Sequence, residues 1–394
     1  MPAMAKPPID VDEIVSQARE TTGLDDFGED TWQEGLGRLA DSLAAEAALN
    51  ELGTQIAIGE LTTCLAHRLE ITAYRRAHPE IAVVDVTPPI VIVGQGRTGT
   101  TILHDLLAQD AATRVPLTWE VDRPCPPPET ATYDTYPRIA EVDATTAGVE
   151  LLIPNFLAMH PMGARLPQEC VRITASDFRS VTFPTQYRVP TYGRWVLYEA
   201  DMAPAYRWHR QFLQHLQSRH PARRWVLKSP AHIWCLPDLV REYPNALLVQ
   251  THRDPLRILA SLSSLIATLR RLSSDETSIA AAAAEFADYI IDGLDRSIDA
   301  REDGTVPADT VVDVQFAAFM ADPFATIHEV YDRLGLELTA ESETRMRAFL
   351  AAHPADSHGT HRYSFADTGL DAGELRERAR RYQDYFDVAS EPLE

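Results

Sequence analysis

Pro88-Pro89-Ile90-Val91-Ile92-Val93-Gly94-Gln95-Gly96-Arg97-Thr98-Gly99-Thr100-Thr101 is the stretch on which the fold turns. Ile90 to Val93 are four consecutive aliphatic residues, the pattern of a short strand buried on both faces. Glycines then mark a turn, and Thr101 to Gln109 reads as the helix that follows. A strand feeding a glycine-bearing turn and a helix N-terminus presents backbone N–H groups and the positive end of a helix dipole, which together favour a phosphate. A Walker loop needs Gly-x-x-x-x-Gly-Lys-Ser/Thr. Gly94 and Gly99 have that spacing and Thr101 the hydroxyl, but Thr100 stands at the lysine position and the positive charge has moved to Arg97. The departure argues for a phosphate ester other than ATP or GTP.

A second stretch repeats the strand-then-polar pattern. Trp225-Val226-Leu227-Lys228-Ser229-Pro230-Ala231-His232 precedes the apolar run Ala246 to Val249, which leads into Thr251-His252-Arg253-Asp254-Pro255, with Ser261 eight residues after Arg253. The two stretches together resemble the sulfotransferases that use 3'-phosphoadenosine 5'-phosphosulfate (PAPS). The chain looks most like the bacterial, notably mycobacterial, branch with a helical N-terminal region, and the resemblance covers nearly its whole length. It implies an α/β sulfotransferase fold, a P-loop-like parallel sheet flanked by helices. It also implies that Gly96, Arg97, Thr98, Gly99, Thr100 and Thr101 hold the 5'-phosphosulfate, and that Arg253 and Ser261 bind the 3'-phosphate. Independently, Asp254-Pro255 reads as an N-cap followed by a first-turn proline.

Lys228 ends an apolar strand, a costly place for an ammonium unless it faces a salt-bridge partner, a cleft or an anion. The resemblance gives it contact with the transferring group and the leaving phosphate. Two residues compete for the acceptor proton. Related animal enzymes place a histidine two residues after the lysine, where this chain has Pro230, and His232 comes two residues later. Some branches use a glutamate, for which Glu169 in Arg165-Leu166-Pro167-Gln168-Glu169-Cys170 is the candidate, with a solvated helix-start carboxylate as its simpler reading. Arg362, between His361 and Tyr363, resembles the C-terminal loop that closes over the 3'-phosphate, although the basic-glycine pattern of the animal enzymes is absent.

The 394 residues, 45% hydrophobic, are enough for one large α/β domain with an added subdomain. The division expected is a helical N-terminal region over 1–86 and the sulfotransferase domain over 87–394. Leu36, Leu39, Leu43 and Ala47, then Leu61, Leu65 and Leu69, supply helical periodicity in the first. Packing on the core, capping of the acceptor cleft and homodimer contacts are all open roles for it. A net charge of −22 opposes nucleic acid and anionic membrane surfaces as partners. Four scattered cysteines suggest neither a disulfide framework nor a metal site, and no apolar run reaches the ~20 residues of a membrane span. The expectation is a soluble, cytoplasmic enzyme that needs no metal.

Strands alternating with helices after Pro88 imply a parallel sheet, with ligands beyond the carboxyl ends of its strands. Residues 116–206, rich in proline and aromatics, read as irregular segments and short helices over the cleft. Phe156, Leu157, Met159, Met162, Phe178, Phe183, Tyr187, Tyr192 and Trp195 crowd this segment, so the acceptor is expected to be a lipid-like or aromatic hydroxyl compound. The rival readings are an ATP-dependent small-molecule kinase and a nucleotide-binding regulator that does no chemistry.

Overall fold

The computed structural model describes residues 9–153, 156, 159–354 and 363–393. Three helices open the chain: α1 (Val11–Thr22), α2 (Trp32–Glu46) and α3 (Glu51–Ala77). The Asp10 carboxylate caps α1 by accepting from the Asp12 and Glu13 amides, and Asn50 caps α3 by accepting from Gly53. The expected stripes of Leu36, Leu39 and Leu43 and of Leu61, Leu65 and Leu69 are buried. They share one hydrophobic core with Val91, Phe178, Tyr206 and Leu227 of the rest of the chain. Backbone contact is close as well: a Cβ on Gly53 would lie 2.1 Å from the Ser273 carbonyl oxygen, so only glycine lets α3 approach there. Arg68 adds a buried tie from α3, donating to the Phe27 carbonyl and pairing with Asp177 at 3.2 Å.

Four parallel strands, β1 (Ile90–Val93), β2 (Val226–Lys228), β3 (Leu247–His252) and β4 (Val311–Gln315), form one sheet in the order β2-β1-β3-β4. Ile92 pairs with Lys228 and with Val249, which puts the ends of three strands side by side. The central β1 is buried throughout, whereas the edge strand β4 exposes Asp313. Helix α4 (Thr100–Leu107) follows β1, and two long helices, α7 (Pro255–Arg270) and α8 (Ile279–Glu302), follow β3. A last helix, α9 (Ala372–Phe386), packs against α7 and α8.

The segment expected to be irregular contains more helix than its sequence suggests. Alongside several one-turn helices, α5 (Pro137–Leu152) runs for 16 residues, and α6 (Ala203–Gln217) begins where that segment ends. Each has proline in its first turn, which is where a helix tolerates it. α5 buries only Arg138, Ile139 and Val142 near its start, so it lacks the periodic apolar stripe that would have announced it. Among the described residues, no helix is long and apolar enough to cross a membrane.

Candidate active site

The turn after β1 is held in shape from beneath. Gly94 has φ 130°, and a Cβ there would lie 2.5 Å from Thr251 Oγ1 and 2.7 Å from the Thr251 carbonyl oxygen. Thr98 is buried, bonded through Oγ1 to the Gln95 carbonyl (2.7 Å) and to Thr251 Oγ1 (2.6 Å). Its side chain therefore fastens the loop to β3. Arg97 has φ 71°, a left-handed conformation that costs a side-chain-bearing residue about 1–2 kcal/mol. The strain persists because both ends of the residue are tied: Nε donates to Ser261 Oγ (2.9 Å), one terminal nitrogen donates to the Met159 carbonyl (2.8 Å), and the Arg97 carbonyl accepts from Arg253 (2.9 Å). Gly99, φ 88°, is the N-cap of α4 and has no side chain with which to bond the first-turn amides, so these point out as donors. A Cβ on Gly96 would make only ordinary contacts, 3.8 Å or more from Leu262 and Pro230.

At the end of β2, the buried Lys228 ammonium bonds to the Glu169 carboxylate and reaches Thr101 Oγ1 at 3.4 Å. Burial would raise the Glu169 pKa, but Lys228 and His160 outweigh it and hold the carboxyl below its ordinary value. Burial is also the main cause of a His160 pKa lowered to about 4; Lys228 and Arg97 add to it, against Glu169. His160 was not singled out from the sequence. It lies in a stretch without periodicity, and its position nine residues before Glu169 carries no motif.

Arg253 follows β3. Burial opposes its charge, yet bonds to Glu391 at 2.8 and 3.0 Å raise its pKa, and its guanidinium lies 3.9 Å from the Phe316 ring centre. Asp254 caps α7 through Leu256, as the sequence suggested, and also takes two bonds from Arg376 of α9 (2.6 and 2.7 Å). Its second oxygen accepts from the Glu391 amide, so the C-terminal tail is docked beside the second expected anion site. Sequence reasoning had no signal for Glu391. Arg362 lies outside the described residues.

The structure brings Arg97, Ser261 and Arg253 into one linked cluster and Lys228, Glu169 and Thr101 into another. His232 is in neither. Its Nδ1 lies 2.8 Å from the Tyr206 hydroxyl, its Nε2 has no partner among the described residues, and it is 2% exposed. Burial, with His209 adding, lowers its pKa to about 3.

A cavity of about 430 Å³ opens in front of the loop. Gln95, Gly96, Arg97, Thr100 and Thr101 form its floor, with His160 and Glu169 at one side. His232 is not part of the lining, though Pro230 and Trp234 on either side of it are. The apolar walls come mainly from α7 (Leu262, Leu265, Ile266, Leu269) and α8 (Phe286, Tyr289, Ile290). Of the aromatic and apolar residues expected to enclose the acceptor, Phe156 and Met162 line this cavity. Phe178, Phe183, Tyr192 and Trp195 are instead core, and Leu157 lies outside the described residues. Burial against α2 and α3 accounts for that displacement, since the N-terminal helices cover those rings.

The sulfotransferase family matches over residues 88–340. The crystal structure of sulfotransferase STF1 from Mycobacterium tuberculosis H37Rv is 33% identical, with a TM-score of 0.85, over 95% of this chain and 99% of that one. Sulfotransferase STF9 from Mycobacterium avium is 29% identical with a TM-score of 0.88, over 99% and 98%. Omega-hydroxy-beta-dihydromenaquinone-9 sulfotransferase Stf3 of Mycobacterium bovis is 27% identical over 315 residues, 74% of each chain.

Proposed function

Because this chain belongs to the sulfotransferase family, we propose that it transfers the sulfuryl group of PAPS to the hydroxyl of a lipid-like or aromatic small molecule. The observation that carries the proposal is the placement of the Lys228–Glu169 pair and Arg97 at the strand ends, beneath an apolar-walled cavity. The relative that acts on a hydroxylated menaquinone derivative supports the acceptor class, and so do the apolar walls from α7 and α8.

PAPS supplies an activated sulfuryl group and a phosphate leaving group. The first-turn amides of α4 and the Arg97 guanidinium suit its 5'-phosphosulfate, and Arg253 with Ser261 its 3'-phosphate. Lys228 does not itself line the cavity but bonds Glu169 and reaches Thr101, which do, and from there would offset negative charge on the leaving oxygen. Glu169 takes the proton of the acceptor hydroxyl, because it borders the cavity as an anion and His232 does not border it. Walls that exclude water keep the transfer directed to the acceptor.

The test is an assay of the purified protein with PAPS and a panel of long-chain alcohols, phenols and sulfated glycans, with products read by mass spectrometry. Sulfation of the alcohols or phenols is expected. Turnover with ATP in place of PAPS, or preferential turnover of the glycans, overturns the reading.

A further inference from the structure

A second chamber of about 340 Å³ abuts the first and has no part in the chemistry described above. The two share Val149, Phe156, Met162 and Leu269, and also the polar Asp122, Arg172 and Gln186. This common wall sets the two chambers against each other, one proximal and one distal to the loop after β1. The proximal end holds Arg97 and Glu169. The distal end is walled by α3, the helix of the N-terminal region, through Ile56, Gly59, Glu60, Thr63, Cys64 and His67.

The junction with the distal end is polar in a specific way. Arg172 lies between two carboxylates, 3.0 Å from Glu60 and 3.5 Å from Asp122. Glu60 is also fixed by the Tyr187 hydroxyl at 2.9 Å. Asp122 is the looser partner: its contact with Arg172 is long for a hydrogen bond, its side chain is 25% exposed, and it faces both chambers. Two carboxylates on one guanidinium leave accepting capacity over, and the geometry puts that capacity on Asp122. The apolar part of the shared wall is Val149, Phe156, Met162 and Leu269.

We propose that the second chamber is a subsite for the far end of the acceptor, which carries a hydrogen-bond donor, a hydroxyl or an amide N–H, separated by an apolar stem from the hydroxyl that is sulfated. This rests on the acceptor reading given above and narrows it: the substrate is elongated and polar at both ends, and the N-terminal helices contribute directly to its recognition. An apolar pocket discriminates weakly between chains, whereas a site built to accept a hydrogen bond rejects an analogue that lacks the donor far more strongly. Gly59 gives a way to close the chamber, because a Cβ there meets nothing within 4 Å.

The experiment uses α,ω-alkanediols of increasing length and their mono-methyl ethers, each tested for turnover with PAPS and for calorimetric binding to the protein loaded with adenosine 3',5'-bisphosphate. At one optimal length the diol is expected to bind, and to be turned over in kcat/KM terms, at least ten-fold better than its ether. Asp122→Ala is expected to bring that ratio to near one, and Gly59→Leu to weaken long diols relative to short ones, with nucleotide affinity kept as the control for folding. A diol-to-ether ratio near one at every length in the unmodified protein, or a ratio unchanged by Asp122→Ala together with a length preference unchanged by Gly59→Leu, overturns the subsite. Absence of sulfation of every alcohol despite length-dependent diol binding overturns the catalytic reading and leaves the subsite standing.

Discussion

Lys228 holds the Glu169 carboxyl below its ordinary pKa, so the chemistry of the site is tested through that pair. A phosphosulfate bound beside Lys228 would draw the ammonium's charge away from Glu169, and the carboxyl pKa would then rise from its depressed value towards one better suited to accepting a proton. Glu169→Gln is expected to lower kcat by roughly 10²- to 10⁴-fold, with affinity for adenosine 3',5'-bisphosphate within a few-fold of the starting protein. His232→Ala has a different expected signature. It leaves the buried Tyr206 hydroxyl without its imidazole partner, at a cost of about 1–3 kcal/mol of stability. Its melting temperature should fall while the folded enzyme keeps most of its turnover. Steady-state kinetics alongside thermal melts separate the two, and the reverse ranking would hand the proton to His232. The sequence exposed both candidates but had no means of ranking them. Distance along the chain does not reveal that Glu169, 59 residues before Lys228, returns to bond it, or that His232 turns inward.

The strands and helices of the sheet were the most legible elements. Ile90–Val93 matches its expected bounds, and β2 and β3 form on the apolar runs that begin at Trp225 and Ala246, because continuous apolar runs between turn residues are what parallel strands require. α5 was not legible, since a helix buried only at one end carries little periodicity. The docking of the tail was invisible for another reason: Glu391 meets Arg253 across 138 residues, a pairing set by tertiary structure alone. That contact predicts a measurable effect. Glu391 holds two of the donors that the 3'-phosphate is proposed to use, so the phosphate must share or displace a carboxylate of like charge. Glu391→Gln should therefore tighten adenosine 3',5'-bisphosphate on the order of ten-fold, as expected from relieving one charge-assisted contact, and leave AMP nearly unchanged. Calorimetry of both nucleotides against both proteins checks this. Weaker binding of the bisphosphate would show instead that Glu391 positions Arg253 for the phosphate.

For the molecule as a whole, net charge and buried histidines make opposing claims on stability in acid. The charge of −22 implies self-repulsion that protonation would relieve, which by itself predicts a more stable protein at lower pH. Four histidines say the reverse. His104, His209, His215 and His232 are at most 2% exposed, and burial lowers their pKa values to between about 3 and about 4. In the unfolded chain they titrate near the ordinary value of about 6.5. Above that pH both states hold the imidazoles neutral and stability is fully present. As the pH falls below it the unfolded state binds protons that the folded state refuses, so stability is lost. Each group contributes up to about 1.4 kcal/mol per pH unit in that range, and the four together remove on the order of 5 kcal/mol by pH 5.5, comparable with the whole stability of many domains. Relief of repulsion comes later, because unperturbed carboxylates titrate near 4. The histidines therefore win between pH 6.5 and 5. Calorimetric melts across pH 5 to 9 should give a melting temperature that is flat above pH 7.5 and falls steeply below 6.5. A maximum between pH 5 and 6 would mean that repulsion among the surface carboxylates dominates instead.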